Sequence, residues 1–188
     1  ENMSIEIKII KATIDIFKEK GVKFTMDDIA TKLGVSKRTL YENVDSKECL
    51  LNLIVDTVFD SIAEESKQII NDQNIDDIER LKRLLTILPT SFKTIDYTKI
   101  YEIRKFYPKI YEKIIDKLDS GWEPTGELIN KCIEKGLIKR VNLTLMKSVL
   151  IGGIRNLLED DYLYKENLEY QEVMKDIVDI MFEGLVIR

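Results

Sequence analysis

The residues of this chain best suited to chemistry lie between Phe24 and Leu51, in the run FTMDDIATKLGVSKRTLYENVDSKECLL. Thr25, with Asp28 three residues on, and Ser36 each place a side-chain oxygen where it can cap a helix, so two short helices are expected on either side of Gly34-Val35-Ser36. Gly34 admits the left-handed backbone of a tight turn, and Ala30 is small where the helices cross. Val35 and Leu40 fill the space between them. This is a helix-turn-helix pattern. Its second helix exposes Lys37, Arg38, Thr39, Tyr41, Glu42 and Asn43, the side-chain types that meet base edges and phosphates in a major groove.

Other chemistries are poorly supplied. The 188 residues include no histidine, which removes the commonest general base, the commonest metal ligand and every Ser-His or Cys-His nucleophile. No catalytic residue, metal site or cofactor is therefore expected, and a helical enzyme using carboxylates or lysines is a remote alternative. Cys49 and Cys132 lack zinc-like spacing and are expected to be buried free thiols in a reducing compartment. The carboxylates Glu159-Asp160-Asp161 read as a polar helix end. The net charge of −5 argues against a protein that coats nucleic acid. Residues 31–47, however, hold Lys32, Lys37, Arg38 and Lys47 against Glu42 and Asp45, a local +2, whereas residues 49–188 carry 20 basic and 25 acidic side chains. An acidic body with a small positive patch suits selective, salt-sensitive binding to DNA.

Positioning that patch falls to helices. Ile7, Ile10, Ile14 and Phe17 recur at helical spacing before Gly21. A long fourth helix starts at Asp45 or Ser46 and carries Leu51, Ile54, Val55, Val58, Ile62 and Ile69 as far as the polar stretch 71–77. Further helical patterns fall at about 76–94, 98–106, 108–136, 143–164 and 168–186, with Pro108 in a first turn and Pro124 expected to kink or interrupt its segment. The fold class is all-α, with about nine helices. No apolar run is long enough to span a membrane, so a cytoplasmic protein without a membrane partner is expected, with Met3 as its natural start.

Two further sites are suggested downstream. Tyr97, Tyr101, Phe106 and Trp122, with Glu102 and Arg104 nearby, are candidates to line a small-molecule pocket. Near the end, Val173, Ile177, Ile180 and Met181 form one apolar stripe beside a second of Met174, Val178, Phe182 and Leu185, wider than one core contact needs. Leu145, Val149, Gly152, Gly153 and Leu157 add apolar and small residues on the preceding helix, so the two helices are expected to form a symmetric dimer interface.

Thr25, Ile29, Ala30, Gly34-Val35-Ser36, Thr39-Leu40-Tyr41 and Ser46-Lys47-Glu48-Cys49-Leu50 together resemble the N-terminal signature of the TetR family of transcriptional regulators, over residues from about 10 to 55. The resemblance implies a three-helix DNA-binding head, a helical ligand-binding body and a homodimer joined through a four-helix bundle. It places the head at residues 1–47 and the body at 48–188. It also implies a repressor released from a palindromic operator in double-stranded DNA by an unknown small-molecule effector; an activator, or a regulator responding to a protein, is the alternative. On the same basis Lys37, Arg38 and Thr39 would lie on the recognition helix, and Tyr41 and Lys47 would reach phosphates. Thr25 and Ser36 would present helix N-termini to the DNA backbone. Asn43 and Val44 depart from the family pattern, which usually has an aromatic residue or His followed by Phe.

Overall fold

Side-chain caps set the helix starts in the first quarter of the chain. In the computed structural model, which describes residues 4–88, 97, 100–159 and 161–186, α1 (Ile5–Lys20) begins where Ser4 Oγ accepts from the Ile7 amide. A 3-10 turn, Gly21–Lys23, leads into α2 (Met26–Leu33). There the Asp28 amide donates to Thr25 Oγ1 at 3.2 Å while the Thr25 amide donates to Asp28 Oδ2 at 2.8 Å, a reciprocal capping box. Gly34 closes α2 at φ 67°, and nothing lies within 4 Å of where its Cβ would be, so the left-handed backbone, not lack of room, calls for glycine. Ser36 caps α3 (Lys37–Tyr41) and Ser46 caps α4 (Lys47–Asn71).

Ile9, Ile16, Phe24, Ile29, Leu40 and Leu50 are buried together, which ties α1, α2 and α3 to the start of α4. The body follows as α5 (Asp77–Leu85), α6 (Ile100–Phe106), α7 (Pro108–Asp119), α8 (Glu123–Glu134), α9 (Leu143–Glu159), α10 (Tyr162–Lys165) and α11 (Tyr170–Leu185). Eleven α-helices thus stand among the described residues where about nine were expected. The 108–136 segment divides because Gly121 takes φ 75°, and Pro124 then sits in the first turn of α8, where its missing amide costs nothing. The 143–164 segment divides after Glu159. Of the expected helix at 76–94, α5 ends at Leu85, and residues 89–96 lie outside the described residues, as do 98–99 and Asp160.

The polar loop between α4 and α5 is held from inside. The buried Arg80 donates to the carbonyls of Ile69, Asp72 and Ile75 and to the buried carboxylate of Asp77, which also accepts from Lys131 at 3.3 Å and Lys135 at 2.6 Å. Those cations hold the Asp77 carboxyl below its ordinary range, the Lys135 bond most, against the opposing effect of burial. Cys132 is buried beside this cluster, but Cys49 is exposed, contrary to expectation, because it lies off the α4 face that buries Leu50 and Leu51.

Candidate nucleic-acid interface and effector cavity

Capping fixes the two turns that face outward from the head. Ser36 Oγ accepts from the Thr39 amide at 3.0 Å and shares a 2.9 Å hydrogen bond with the Thr39 hydroxyl, so the hydroxyls of Thr25, Ser36 and Thr39 all hold helix starts. Lys20 donates to Asp28 at 2.6 Å, and this bond, followed by the Thr25 amide, pulls the Asp28 carboxyl down to about 2. The cap therefore stays ionised at any physiological pH.

Seven of the predicted contact residues, Ser36 to Thr39 and Tyr41 to Asn43, stand on or next to α3. Arg38, 88% exposed, pairs along the helix with Glu42 at 3.0 Å, and Lys37 reaches across the turn to Asp27 on α2 at 2.6 Å. Tyr41 is 47% exposed with its ring outward. Asn43 turns its amide back onto the Thr39 carbonyl at 2.8 Å, ending the helix. Arg38, Lys37 and Tyr41 thus project from one short helix, and Glu42 masks one of its cations.

Lys47 is placed differently from what the resemblance implies. Its amine points inward and donates to the carbonyls of Val22 and Phe24, with the Phe24 ring 4.2 Å and the Tyr107 ring 5.7 Å away. Burial lowers its affinity for the proton. In this conformation Lys47 fixes the turn before α2. The same turn is gripped from the body: the buried Val22 amide donates to Glu102 Oε2 on α6 at 3.2 Å. This junction was missed in the sequence, since a 3-10 turn accepting a lysine and donating to a glutamate 80 residues on leaves no local signal.

Inside the body lies an apolar cavity of about 620 Å³, walled by α4 from Leu51 to Ile70 and by residues of α1, α5, α6, α7, α8, α9 and α11. Of the six candidate effector residues, Tyr97 and Trp122 line it. Tyr97 stacks on Tyr170, ring centroids 4.6 Å apart, and burial pushes both phenols well above their usual range. Trp122 donates its indole N–H to the Leu118 carbonyl at 3.2 Å and so shows the cavity only apolar surface. Tyr101, Glu102, Arg104 and Phe106 lie off the cavity. The turn of α6 explains it: Ile100 and Ile103, three apart, face inward, which sends Glu102 to Val22 and Arg104 outward to the Glu159 carbonyl at 3.2 Å, and leaves Phe106 exposed at the helix end.

Comparison with known proteins decides what this head is. Residues 9–54, from α1 through the first turns of α4, match the family of bacterial regulatory proteins, tetR family. The uncharacterised HTH-type transcriptional regulator YvaF of Bacillus subtilis (strain 168) is 28% identical over 178 residues, 95% of this chain and 94% of that one. Over residues 9–54 the head matches the TetR family of transcriptional regulators.

Among solved structures, the TetR-family regulator PfmR from Thermus thermophilus is 23% identical, with a TM-score of 0.64 over 94% of this chain and 97% of that one. The fatty acid degradation regulator FadR from Bacillus halodurans is 17% identical, with a TM-score of 0.69 over 98% of each chain. At these identities the likeness is one of fold, and it extends the TetR architecture over the whole body. The match of residues 9–54 and the similarity to YvaF agree with a DNA-binding transcriptional regulator.

The chain also leaves an apolar face open on its last two long helices. Leu145 (64% exposed), Val149 (54%) and Ile180 (73%) stand out from α9 and α11, with Gly152 exposed between them and Val173, Ile177 and Met181 half-buried. Leu157, expected there, is instead buried in the chain's own core, and Gly153 faces Ile177 of the same chain. Among the described residues no helix is long and apolar enough to cross a membrane, and no three His, Cys, Asp or Glu side chains converge on a metal position.

Proposed function

We propose that this protein is a homodimeric repressor, acting in the cytoplasm, that leaves a palindromic operator when a small apolar molecule fills the body cavity. The observation that carries the reading is the double duty of α4. Its first turn, with Lys47 and Leu50, supports the head, and the same helix from Leu51 to Ile70 walls the cavity. A ligand that moves α4 therefore moves the head, and any preference of the ligand for one arrangement shifts the population towards it.

Residues 1–47 act as the DNA-binding unit and 48–188 as the ligand-binding and dimerisation unit. Lys37, Arg38, Thr39, Tyr41, Glu42 and Asn43 face the groove. The amides capped by Thr25 and Ser36 receive phosphates, and Lys47 contributes by fixing the Val22–Phe24 turn. The exposed apolar residues of α9 and α11 pair with those of a second copy as a four-helix bundle. Two heads then read half-sites about one helical turn, roughly 34–36 Å, apart or a little more.

Selection from a random duplex pool identifies the operator, and a reporter carrying it tests the role. Expression should fall when the protein is supplied and stay high with Tyr41→Ala or Arg38→Ala. Activation by the wild type would replace repressor with activator, and failure to enrich any duplex would overturn the reading.

A further inference from the structure

On the reading of the head as an operator binder, we propose that the corner of the body between α6 and α7 is part of the DNA interface, where Lys105 and Lys109 join Lys23 and meet phosphates next to the one received at Thr25. Position is the first argument. The Gly21–Lys23 turn and Phe24 lead directly to Thr25, and the corner is held to that turn from two sides. Glu102 of α6 accepts from the Val22 amide at 3.2 Å. Lys47 of α4 donates to the Val22 and Phe24 carbonyls and lies 5.7 Å from the Tyr107 ring. The corner therefore travels with the head when the head docks on a duplex.

Reach is the second argument. Lys23 and Thr25 are two residues apart, at most about 7 Å of chain, and successive phosphates of one strand rise by about 3.4 Å. Phosphates one or two steps from the Thr25 site thus come within range of Lys23. Lys23 and Val22 share a cleft of about 210 Å³ with Phe106 and Tyr107 of the corner. Phe106 is 52% exposed, and its ring lies 5.5 Å from the Lys105 ammonium, which cation–π attraction keeps beside the cleft. Lys109 follows in the first turn of α7.

Charge is the third. Lys23, Lys105 and Lys109 are exposed and make no ion pair with any described residue. By contrast Lys20 is matched by Asp28, Lys32 by Asp15, Lys37 by Asp27 and Arg38 by Glu42. A matched cation brings its carboxylate to the phosphates with it, whereas an unmatched one brings its full charge. Residues 100–110 hold Arg104, Lys105 and Lys109 against Glu102, a local +2, although residues 49–188 carry 20 basic and 25 acidic side chains. The carboxylates at hand leave those lysines free: Glu102 is bonded to the Val22 amide, and Glu48 stands beside Lys47 at the start of α4. A positive corner on an acidic body fits a polyanion docked alongside, because each phosphate it neutralises releases counterions.

Three proteins, each checked for folding by urea denaturation, test this: the wild type, Lys105→Gln/Lys109→Gln, and a control, Arg140→Gln/Lys175→Gln, which removes the same charge elsewhere on the body. Affinity for the selected duplex is measured from 50 to 200 mM salt. Losing two phosphate contacts lowers the salt slope by about 1.8 for each protomer bound, so over that range the wild type should lose about tenfold more affinity per protomer than the corner variant. The control should keep the wild-type slope. A methylphosphonate is then placed at one phosphate of the duplex at a time. At the phosphates met by the corner it should weaken the wild type about twofold to fivefold and leave the corner variant unchanged. An unchanged slope in the corner variant, an equal change in the control, or the same sensitive phosphates in wild type and corner variant overturns the proposal. Arg38→Ala tells the two readings apart: if it still weakens binding, the head remains the DNA-binding unit and only the corner is excluded. A wild type that binds no duplex removes both.

Discussion

Replacing Glu102 tests whether the body holds the head through the Val22 turn. Val22 is 4% exposed, and its amide donates to Glu102 Oε2 at 3.2 Å, so Glu102→Ala strands a buried donor. A stranded amide of this kind costs about 1–3 kcal/mol, and the partial exposure of Glu102, which lets water approach, favours the lower half of that range. Glu102→Gln keeps an acceptor oxygen and loses only the charge, so it should recover at least half of the loss. Urea denaturation of the three proteins measures this directly.

Function should separate from stability in the same variants. Ile100 and Ile103, on the same helix as Glu102, line the cavity, so the Glu102–Val22 bond links the α6 wall of the cavity to the head. Coupling between sites is worth about 1–3 kcal/mol in typical allosteric proteins. Glu102→Ala should thus keep affinity for the selected duplex within about threefold while raising the ligand concentration needed for release by about tenfold. A Glu102→Ala protein as stable and as responsive as the wild type would refute the reasoning. So would a Gln variant that behaves no better than Ala.

Other perturbations have equally definite outcomes. Arg38→Ala should cost about 1–3 kcal/mol in operator affinity and relax the sequence preference; Glu42→Gln, which frees Arg38 from its 3.0 Å partner, should tighten binding to random duplex, both read by competition gel shift. Ile180→Asp puts a charge at the most exposed apolar position of α11 and should yield a folded monomer in sedimentation equilibrium, whereas a surviving dimer would exclude this face. Asp77→Asn leaves Arg80 buried without its counter-ion and should lower stability by about 3 kcal/mol. Because the folded Asp77 carboxyl titrates below its unfolded value of 3.8, its contribution is complete above that pH and is lost as pH falls through the lowered folded value. Acid titration of Asp77→Asn should accordingly show a shallower stability loss in that window than the wild type.

Much of the head was legible because its determinants are local. Thr25 with Asp28, Gly34 and Ser36 act within three or four residues of one another, and the structure uses each as a cap or turn. The body was legible as helices but not in its divisions: Gly121, whose positive φ parts α7 from α8, looks like any other glycine in sequence. The aromatic cluster shows the limit most clearly. Spacing put Tyr97 to Phe106 together as one group, but a helix turns by about 100° per residue, so packing chose which of them faced the cavity. Tyr97 lines the cavity with Ile100 and Ile103, and Glu102 went to the head.

By itself the sequence determined the all-helical class, the helix-turn-helix and the positive character of residues 31–47 in an acidic chain, since periodicity, caps and charge are properties of neighbours along the chain. Only the tertiary structure decided that Lys47 faces inward, that α6 joins the head at Val22, and that eight helices leave an apolar cavity unfilled between them. Those depend on contacts between residues tens of positions apart, and no local pattern encodes the space left where helices fail to meet.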